Sequence, residues 1–202
     1  MRVIVIGATG TIGSAVAAAL SARHDVVKVG HTRGTFHVDL ASPESIDEMF
    51  CAVGPFDALV SAAGLAKFAS LAELKDADFQ FSLSNKLMGQ ANLVRIGSRF
   101  IGERGSFTLT SGVLSQEPMK GSAAISMVNA GLEGFVRAAA IDLPRGIRVN
   151  VVSPPWVTET LLARKMDPLI GLPAATVAQA YVMSVEGTLT GQTIDPLKPA
   201  AQ

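Results

Sequence analysis

A run of β-branched residues stopped by a glycine is the feature that most constrains how this chain folds. Residues 2–7 read RVIVIG. An unbroken apolar run of this length is typical of a strand that is buried on both faces of a parallel sheet. Small and apolar residues follow at helical spacing over residues 11–22, and residues 25–30 return to strand character. The start of the chain therefore predicts a strand–helix–strand unit.

The same alternation continues along the chain. Ser42 offers an N-cap and Pro43 a first helical residue, which predicts a helix through Phe50. Further strands are predicted at residues 35–40, 57–64, 105–111, 147–153 and 191–195, and further helices near 76–101, 121–142 and 173–185. The pattern predicts an α/β fold of three layers, a Rossmann-type doubly wound parallel sheet. We expect a single dinucleotide-binding domain over residues 1–202, with a mobile flap at about 154–173.

Charge and hydropathy exclude several classes of partner. Lys plus Arg and Asp plus Glu are balanced at 17 each, so no net field attracts nucleic acid or an anionic membrane. No apolar run reaches the ~18 residues of a membrane span. The first residues also lack the longer apolar region and cleavage site of a signal peptide. We expect a cytoplasmic protein with no nucleic-acid or membrane partner.

Metal and hydrolase chemistry are disfavoured by the positions of the reactive residues. His24, His31 and His37 are scattered and lack metal-ligand spacing, also relative to Cys51, the only cysteine. Ser111 has no histidine at a predictable distance, and the chain contains no GxSxG motif. We expect no bound metal.

The glycines of GATGTIG indicate phosphate binding. Gly7, Gly10 and Gly13 follow the first strand and enter the first helix. A tight turn needs positive φ, a close diphosphate needs a missing Cβ, and a helix N-terminus supplies free N–H groups. The spacing is GxxGxxG, and a purely structural turn is the alternative; the strand before and the helix after favour phosphate binding.

The residues after the second strand indicate which nicotinamide cofactor binds. An acid at this position binds a ribose 2′-hydroxyl, whereas an arginine accommodates a 2′-phosphate. The chain reads VGHTRG here, with Thr32 and Arg33 and no acid. A solvated loop arginine is the alternative, but the position favours NADP(H).

Taken together, these segments resemble the short-chain dehydrogenase/reductase family from Val3 to about Asp195. GATGTIG is similar to the family's cofactor loop, VDL (38–40) to its adenine segment, and SAAG (61–64) to its NNAG. TLTSG (108–112), RGIRVNVVSPPWVTET and TGQ (190–192) are similar to later family segments, with Pro155 where glycine is usual. The resemblance implies that NADP(H) contacts Gly7, Thr9, Gly10, Thr11, Ile12, Gly13, Thr32, Arg33, Asp39, Leu40, Ala62, Ala63, Gly64, Pro154, Trp156 and Val157.

The resemblance fails at the family's YxxxK pair, in which tyrosine is the general acid and lysine holds the ribose. Ile125 stands in place of the tyrosine and Asn129 in place of the lysine. Neither side chain can replace the family residue in acid catalysis, because Ile has no proton to give and an amide does not titrate near neutral pH. Lys86 stands where the family usually has asparagine. Either Lys86 and Asn129 have exchanged roles, or Lys86 reaches solvent and Asn129 satisfies a backbone group.

Two functions remain open from the sequence. One is an NADP(H)-dependent oxidoreductase for a small carbonyl or alcohol substrate, in which Ser111 polarises the carbonyl. In that enzyme Lys86, or a water held by Asn129, supplies the proton. The other is a catalytically silent NADP(H)-binding sensor. For both we expect a homodimer or homotetramer, formed through the helices near 76–101 and 121–142, because the second of these is apolar almost all round.

Overall fold

A parallel sheet forms the centre of the computed structural model, which describes residues 1–198. The strands are β1 (Arg2–Ile6), β2 (Asp25–Gly30), β3 (Phe36–His37), β4 (Phe56–Ser61), β5 (Ile101–Thr110), β6 (Arg148–Val152) and β7 (Thr193–Ile194). The helices are α1 (Thr11–Ser21), α2 (Pro43–Val53), α3 (Asp76–Ser82), α4 (Gly89–Gly97), α5 (Ala123–Asp142), α6 (Thr158–Ala163) and α7 (Ala174–Glu186). The sheet order is β3-β2-β1-β4-β5-β6-β7, and every pair is parallel.

Both faces of the sheet are covered, as the apolar strands require. In β1, Ile4 and Ile6 pack into the layer formed with α2, α4 and α5. Val3 and Val5 point the other way and pack with α1 and α7. The predicted three-layer Rossmann-type fold is confirmed. Since the strand order reverses between β1 and β4, the carboxyl ends of these two strands flank the crevice in which such folds bind ligands.

The start of α2 shows how local sequence sets an element. The Ser42 side chain accepts a hydrogen bond from the backbone N–H of Ser45, and Pro43 is the first helical residue. The helix continues past the predicted Phe50 to Val53 and ends at Gly54, which has φ +76°. Only glycine adopts this conformation readily.

Several predicted boundaries were wrong. The strands predicted at 35–40 and 191–195 pair over only two residues each, Phe36–His37 and Thr193–Ile194, because they lie at the two edges of the sheet. The helix predicted near 76–101 ends at Gly97, and a π-turn, Leu83–Met88, interrupts it. The strand predicted from 105 begins at Ile101, whose pairing with Phe56 precedes a shift of register.

Helix α5 is long and apolar enough to cross a membrane by length and composition, with a mean hydropathy of 1.2 over its most apolar window. Its inner face nevertheless packs in the core, where Leu132 and Val136 are fully buried beside the sheet. A core helix passes the same test of length and composition. Packing on the sheet therefore explains the apolar residues of this inner face.

The segment predicted as a flap has structure of its own. It contains α6 and a 3-10 turn, Pro168–Ile170, and its ends meet where Val157 pairs with Leu172. Its mobility, like the expectation of one domain over residues 1–202, stays a prediction.

Candidate active site

The glycine loop lies at the carboxyl end of β1 and leaves no room for side chains. Gly7 has φ +78°, and a Cβ there would lie 2.7 Å from the Ala62 carbonyl oxygen. A Cβ on Gly13 would lie 2.0 Å from the Gly7 carbonyl oxygen. Gly10 caps α1 without a side-chain hydrogen bond. The first N–H groups of the helix therefore remain available to an anion.

The other predicted cofactor residues follow neighbouring strands at the same edge of the sheet. Ala62–Gly64 follow β4, and Pro154–Val157 follow β6. Thr32 and Arg33 follow β2 and are exposed, and within residues 1–198 Arg33 forms no ion pair with an acidic side chain. This leaves its guanidinium group open to a ligand.

Two predicted contacts after β3 are engaged within the protein. The Asp39 carboxylate accepts a hydrogen bond of 2.9 Å from the backbone N–H of Ala41. Leu40 is a buried core residue, and a Cβ on Gly89 would lie 2.8 Å from its Cβ. The side chain of Leu40 therefore serves packing, and only its backbone can face a ligand.

The end of β5 is fixed by the side chain of Gln90. Its Oε1 accepts a hydrogen bond of 2.8 Å from the Thr110 N–H, and its Nε2 donates one of 2.9 Å to the Thr110 carbonyl. The fully buried side-chain amide of Gln90 thus forms the two hydrogen bonds that a neighbouring strand would form with the last residue of β5. It ties the strand end to the helix that carries Lys86, one turn earlier.

Lys86 and Asn129 bind two successive carbonyl groups beyond that strand end. The Lys86 Nζ donates a hydrogen bond of 3.0 Å to the Ser111 carbonyl. The Asn129 Nδ2 donates one of 3.2 Å to the Gly112 carbonyl. The Asn129 Oδ1 is buried and has no hydrogen-bond partner in the described part of the chain. A buried acceptor without a donor is costly, so this atom is a candidate for a ligand contact.

Burial governs the charge of Lys86. The side chain is in the interior of the π-turn and the residue is 8% exposed. Desolvation lowers its pKa to about 8, from an ordinary value of 10.5. The amine can therefore gain or lose a proton near neutral pH.

These groups share a cavity of about 320 Å³. Ile125 lines it, at the position of the missing tyrosine. No Asp or Glu is found among its described lining residues, whereas Lys86 and Arg164 both contribute to it. The predicted site residues that line it are Ile12, Ala62, Ala63, Gly64, Lys86, Ser111, Asn129, Pro154, Trp156 and Val157. A second cavity, of about 640 Å³, shares the wall formed by Val113, Leu114, Pro155 and Trp156.

The structure adds Glu133, which the sequence analysis missed. Its Oε1 accepts hydrogen bonds from the hydroxyls of Ser111, at 3.1 Å, and Ser115, at 2.6 Å. Ser111 therefore has an acceptor for its proton within the protein, and the role in polarising a carbonyl that the sequence predicts for it stays a prediction. The available signal was spacing, because Ile125, Asn129 and Glu133 follow one another at intervals of four on one helix face.

Tyr181, the only tyrosine, does not replace the missing acid. It is fully buried, and its hydroxyl is 2.7 Å from the Thr110 Oγ1. Burial raises its pKa above the ordinary value of 10.0. Within residues 1–198 there is also no cluster of three His, Cys, Asp or Glu side chains that could hold a metal ion.

The sequence and the fold of this chain both match known proteins. Residues 7–186 match the family described as enoyl-(acyl carrier protein) reductase. A crystal structure of the protein lin1944 from Listeria innocua is 39% identical, with a TM-score of 0.93, and the match covers 96% of this chain and 98% of that one. A small-chain dehydrogenase solved in complex with NADPH is 25% identical, with a TM-score of 0.84 over 96% of this chain and 95% of that one.

Curated relatives match more distantly. A 3-oxoacyl-[acyl-carrier-protein] reductase from Rattus norvegicus is 31% identical over 68% of this chain and 55% of its own length. The reductase MabA from Mycobacterium bovis is 29% identical over 83% of this chain and 73% of its own length. The chain thus spans about half to three quarters of the curated relatives that it matches.

The lowered pKa of Lys86 predicts a pH-dependent stability. Between pH 8 and 10.5 the unfolded lysine binds more protons than the folded one, so the free energy of unfolding rises with pH across this window. For the parent protein, the free energy of unfolding should rise by about 3 kcal/mol across this window. Lys86→Met should abolish this rise, because it removes the buried charge. Urea unfolding of both proteins from pH 7 to 10.5 measures the difference. The exposed Lys120→Met is the control, and parallel curves for the parent and Lys86→Met would contradict the prediction.

Proposed function

Because this chain belongs to the short-chain dehydrogenase/reductase family, we propose that it is an NADP(H)-dependent oxidoreductase that interconverts a small carbonyl compound and its alcohol. The observation that carries the proposal is the cavity shared by Lys86, Ser111 and Asn129 beside the glycine loop. The named relatives are reductases and a dehydrogenase, one of them solved with NADPH. They favour an enzyme over the silent sensor that the sequence left open.

The residues present fit a nicotinamide cofactor. The backbone contacts of Gly7 and Gly13 exclude any Cβ from the tight turn after β1, and the start of α1 adds free N–H groups for a diphosphate. Ala62–Gly64 and Pro154–Val157 flank the cavity in which the nicotinamide end would lie. When bound, the cofactor supplies or accepts a hydride.

Lys86 and Asn129 can together take the roles of the missing tyrosine and lysine. The unpartnered Asn129 Oδ1 is suited to accept a hydrogen bond from a ribose hydroxyl. Lys86 has donor capacity left after its bond to the Ser111 carbonyl, because an ammonium group carries three protons. Lys86 lines the cavity and, when protonated, can stabilise the negative charge that develops on a carbonyl oxygen. The adjoining cavity of about 640 Å³ offers room for the rest of the substrate.

Turnover tests the proposal. We expect the parent protein to oxidise NADPH with members of a panel of small aldehydes and ketones. Ser111→Ala should lower the rate by roughly a hundredfold or more, as for loss of a group in proton transfer. Ser126→Ala is the control, since Ser126 bonds Ser122 on the same helix.

A binding assay separates an inactive enzyme from a misfolded one. Trp156 is the only tryptophan and lines the cavity, so energy transfer from it to NADPH reports binding. Tight NADPH binding without turnover of any carbonyl would favour the sensor.

Arg33 predicts a preference for NADP(H) over NAD(H). A charge-assisted contact with the 2′-phosphate contributes about 1.5–3 kcal/mol, or roughly ten- to 150-fold in affinity. Arg33→Ala should remove this preference and leave NADH affinity unchanged. Calorimetric titration of both cofactors measures it, with Arg23→Ala, which precedes β2, as the control. Equal affinities of the parent for the two cofactors would refute the role of Arg33.

We also propose that the protein is a homodimer or homotetramer. Apolar side chains remain exposed on the helices expected to pair, with Phe81 45%, Met88 49%, Met127 41% and Ile141 86% exposed. Burial against a second copy would remove them from water.

The charged variant Met127→Glu is expected to dissociate this oligomer. It would place a carboxylate in the apolar contact, so light scattering at micromolar concentration should show a smaller mass than for the parent. Leu71→Glu, at a residue 72% exposed outside these helices, should not change the mass. A parent protein of monomer mass would contradict the prediction.

A further inference from the structure

The hydroxyl of Ser111 has two acceptors within the protein. The Glu133 Oε1 accepts its proton at 3.1 Å, and the Val152 carbonyl is 3.4 Å away. A serine hydroxyl has one proton and two lone pairs. With its proton donated to Glu133, the Ser111 oxygen keeps lone pairs that can accept a hydrogen bond from a ligand in the cavity that Ser111 lines.

Glu133 continues this chain to a second hydroxyl. The same Oε1 accepts a hydrogen bond of 2.6 Å from the hydroxyl of Ser115, which is only partly buried and also lies 3.0 Å from the Gly112 carbonyl. Glu133 itself is 7% exposed and, within residues 1–198, forms no ion pair with a basic side chain. The three oxygens form a continuous path from the cavity to the outer side of the 3-10 turn at Val113–Ser115. Such a path suits the transfer of a proton.

We propose that Glu133 is a positioning residue for Ser111 and the internal proton acceptor that replaces the absent tyrosine, so that protons leave the cavity along Ser111, Glu133 and Ser115. The proposal rests on the proposed function. In alcohol oxidation the substrate O–H proton passes to the Ser111 Oγ while the proton of Ser111 passes to the Glu133 Oε1. A bound oxidised nicotinamide cofactor would accept the C–H electron pair as hydride. Carbonyl reduction reverses each transfer.

The surrounding charges support this direction of transfer. Lys86 also lines the cavity, with its Nζ 3.0 Å from the Ser111 carbonyl. A cation at this place stabilises the alkoxide that forms when the substrate loses its proton. Arg137, one turn beyond Glu133, is exposed and makes no ion pair with it. The carboxylate of Glu133 therefore remains free to take up the proton.

The first test uses the cofactor-free protein and needs no substrate. Urea midpoints are measured for Ser111→Ala, Glu133→Ala and the double variant. Because either substitution removes the same hydrogen bond, the double variant should lose less than the sum of the two single losses. The pair Ser126→Ala and Glu133→Ala is the control and should be additive. Additive losses for Ser111 and Glu133 would overturn the proposal, and Glu133→Leu replaces Glu133→Ala if the latter does not fold.

The second test separates proton transfer from mere support. The glutamine of Glu133→Gln can still accept both serine hydroxyls, but it cannot take up a proton. Its kcat should fall by roughly a hundredfold or more, whereas KM and the NADPH affinity read from Trp156 should not change. Glu133→Asp, which retains the carboxylate, should recover part of the rate.

The outcomes distinguish this proposal from the proposed function. Parental kcat in Glu133→Gln, with an active parent, overturns the relay and leaves the oxidoreductase in place. A parent that binds NADPH and reduces no carbonyl overturns the reaction and the relay together. In that case the unfolding measurements still show whether Ser111 and Glu133 are coupled.

Discussion

The amide of Gln90 holds the end of β5, and the geometry of the whole site depends on it. Its two hydrogen bonds to Thr110 join the strand to the helical segment that contains Lys86. Beyond Ser111, whose N–H still pairs with the Val152 carbonyl, the chain leaves the sheet and enters a 3-10 turn. Lys86 binds the Ser111 carbonyl, and Asn129 binds the Gly112 carbonyl, which the Ser115 N–H also contacts. Side chains from two other segments thus fix the backbone where it meets the cavity.

The same arrangement explains how a lysine can be buried without a carboxylate beside it. Gly64 packs against Lys86, since a Cβ there would lie 3.1 Å from its Cγ, and the carbonyl of Ser111 accepts one of its protons. These neighbours remove water without adding negative charge, so the pKa falls to about 8. The charged form is costly to the apo protein. An anionic or electron-rich ligand group in the cavity would offset that cost, so the desolvation of Lys86 favours the binding of such a group.

Three positions on one face of α5 account for the altered chemistry. Ile125 removes the proton donor, Asn129 replaces a charge with an amide, and Glu133 supplies a carboxylate behind Ser111. The cation therefore enters from the π-turn at residues 83–88, and the titratable acid lies behind the serine. The cation has thus moved to another element, whereas the acid stays on α5 behind the residues that line the cavity.

The sequence alone determined the layers, the glycine cradle, the cap of α2 and the loss of the tyrosine and lysine, because each depends on residues close together in the chain. Periodicity and turn residues act over a few residues and can be read directly. Tertiary structure alone decided the length of the edge strands, the π-turn, the burial of Lys86 and the partner of Ser111. The Lys86 and Glu133 contacts of Ser111 join residues 25 and 22 positions apart. Such contacts depend on how α4 and α5 pack against the sheet, and no local pattern specifies that packing.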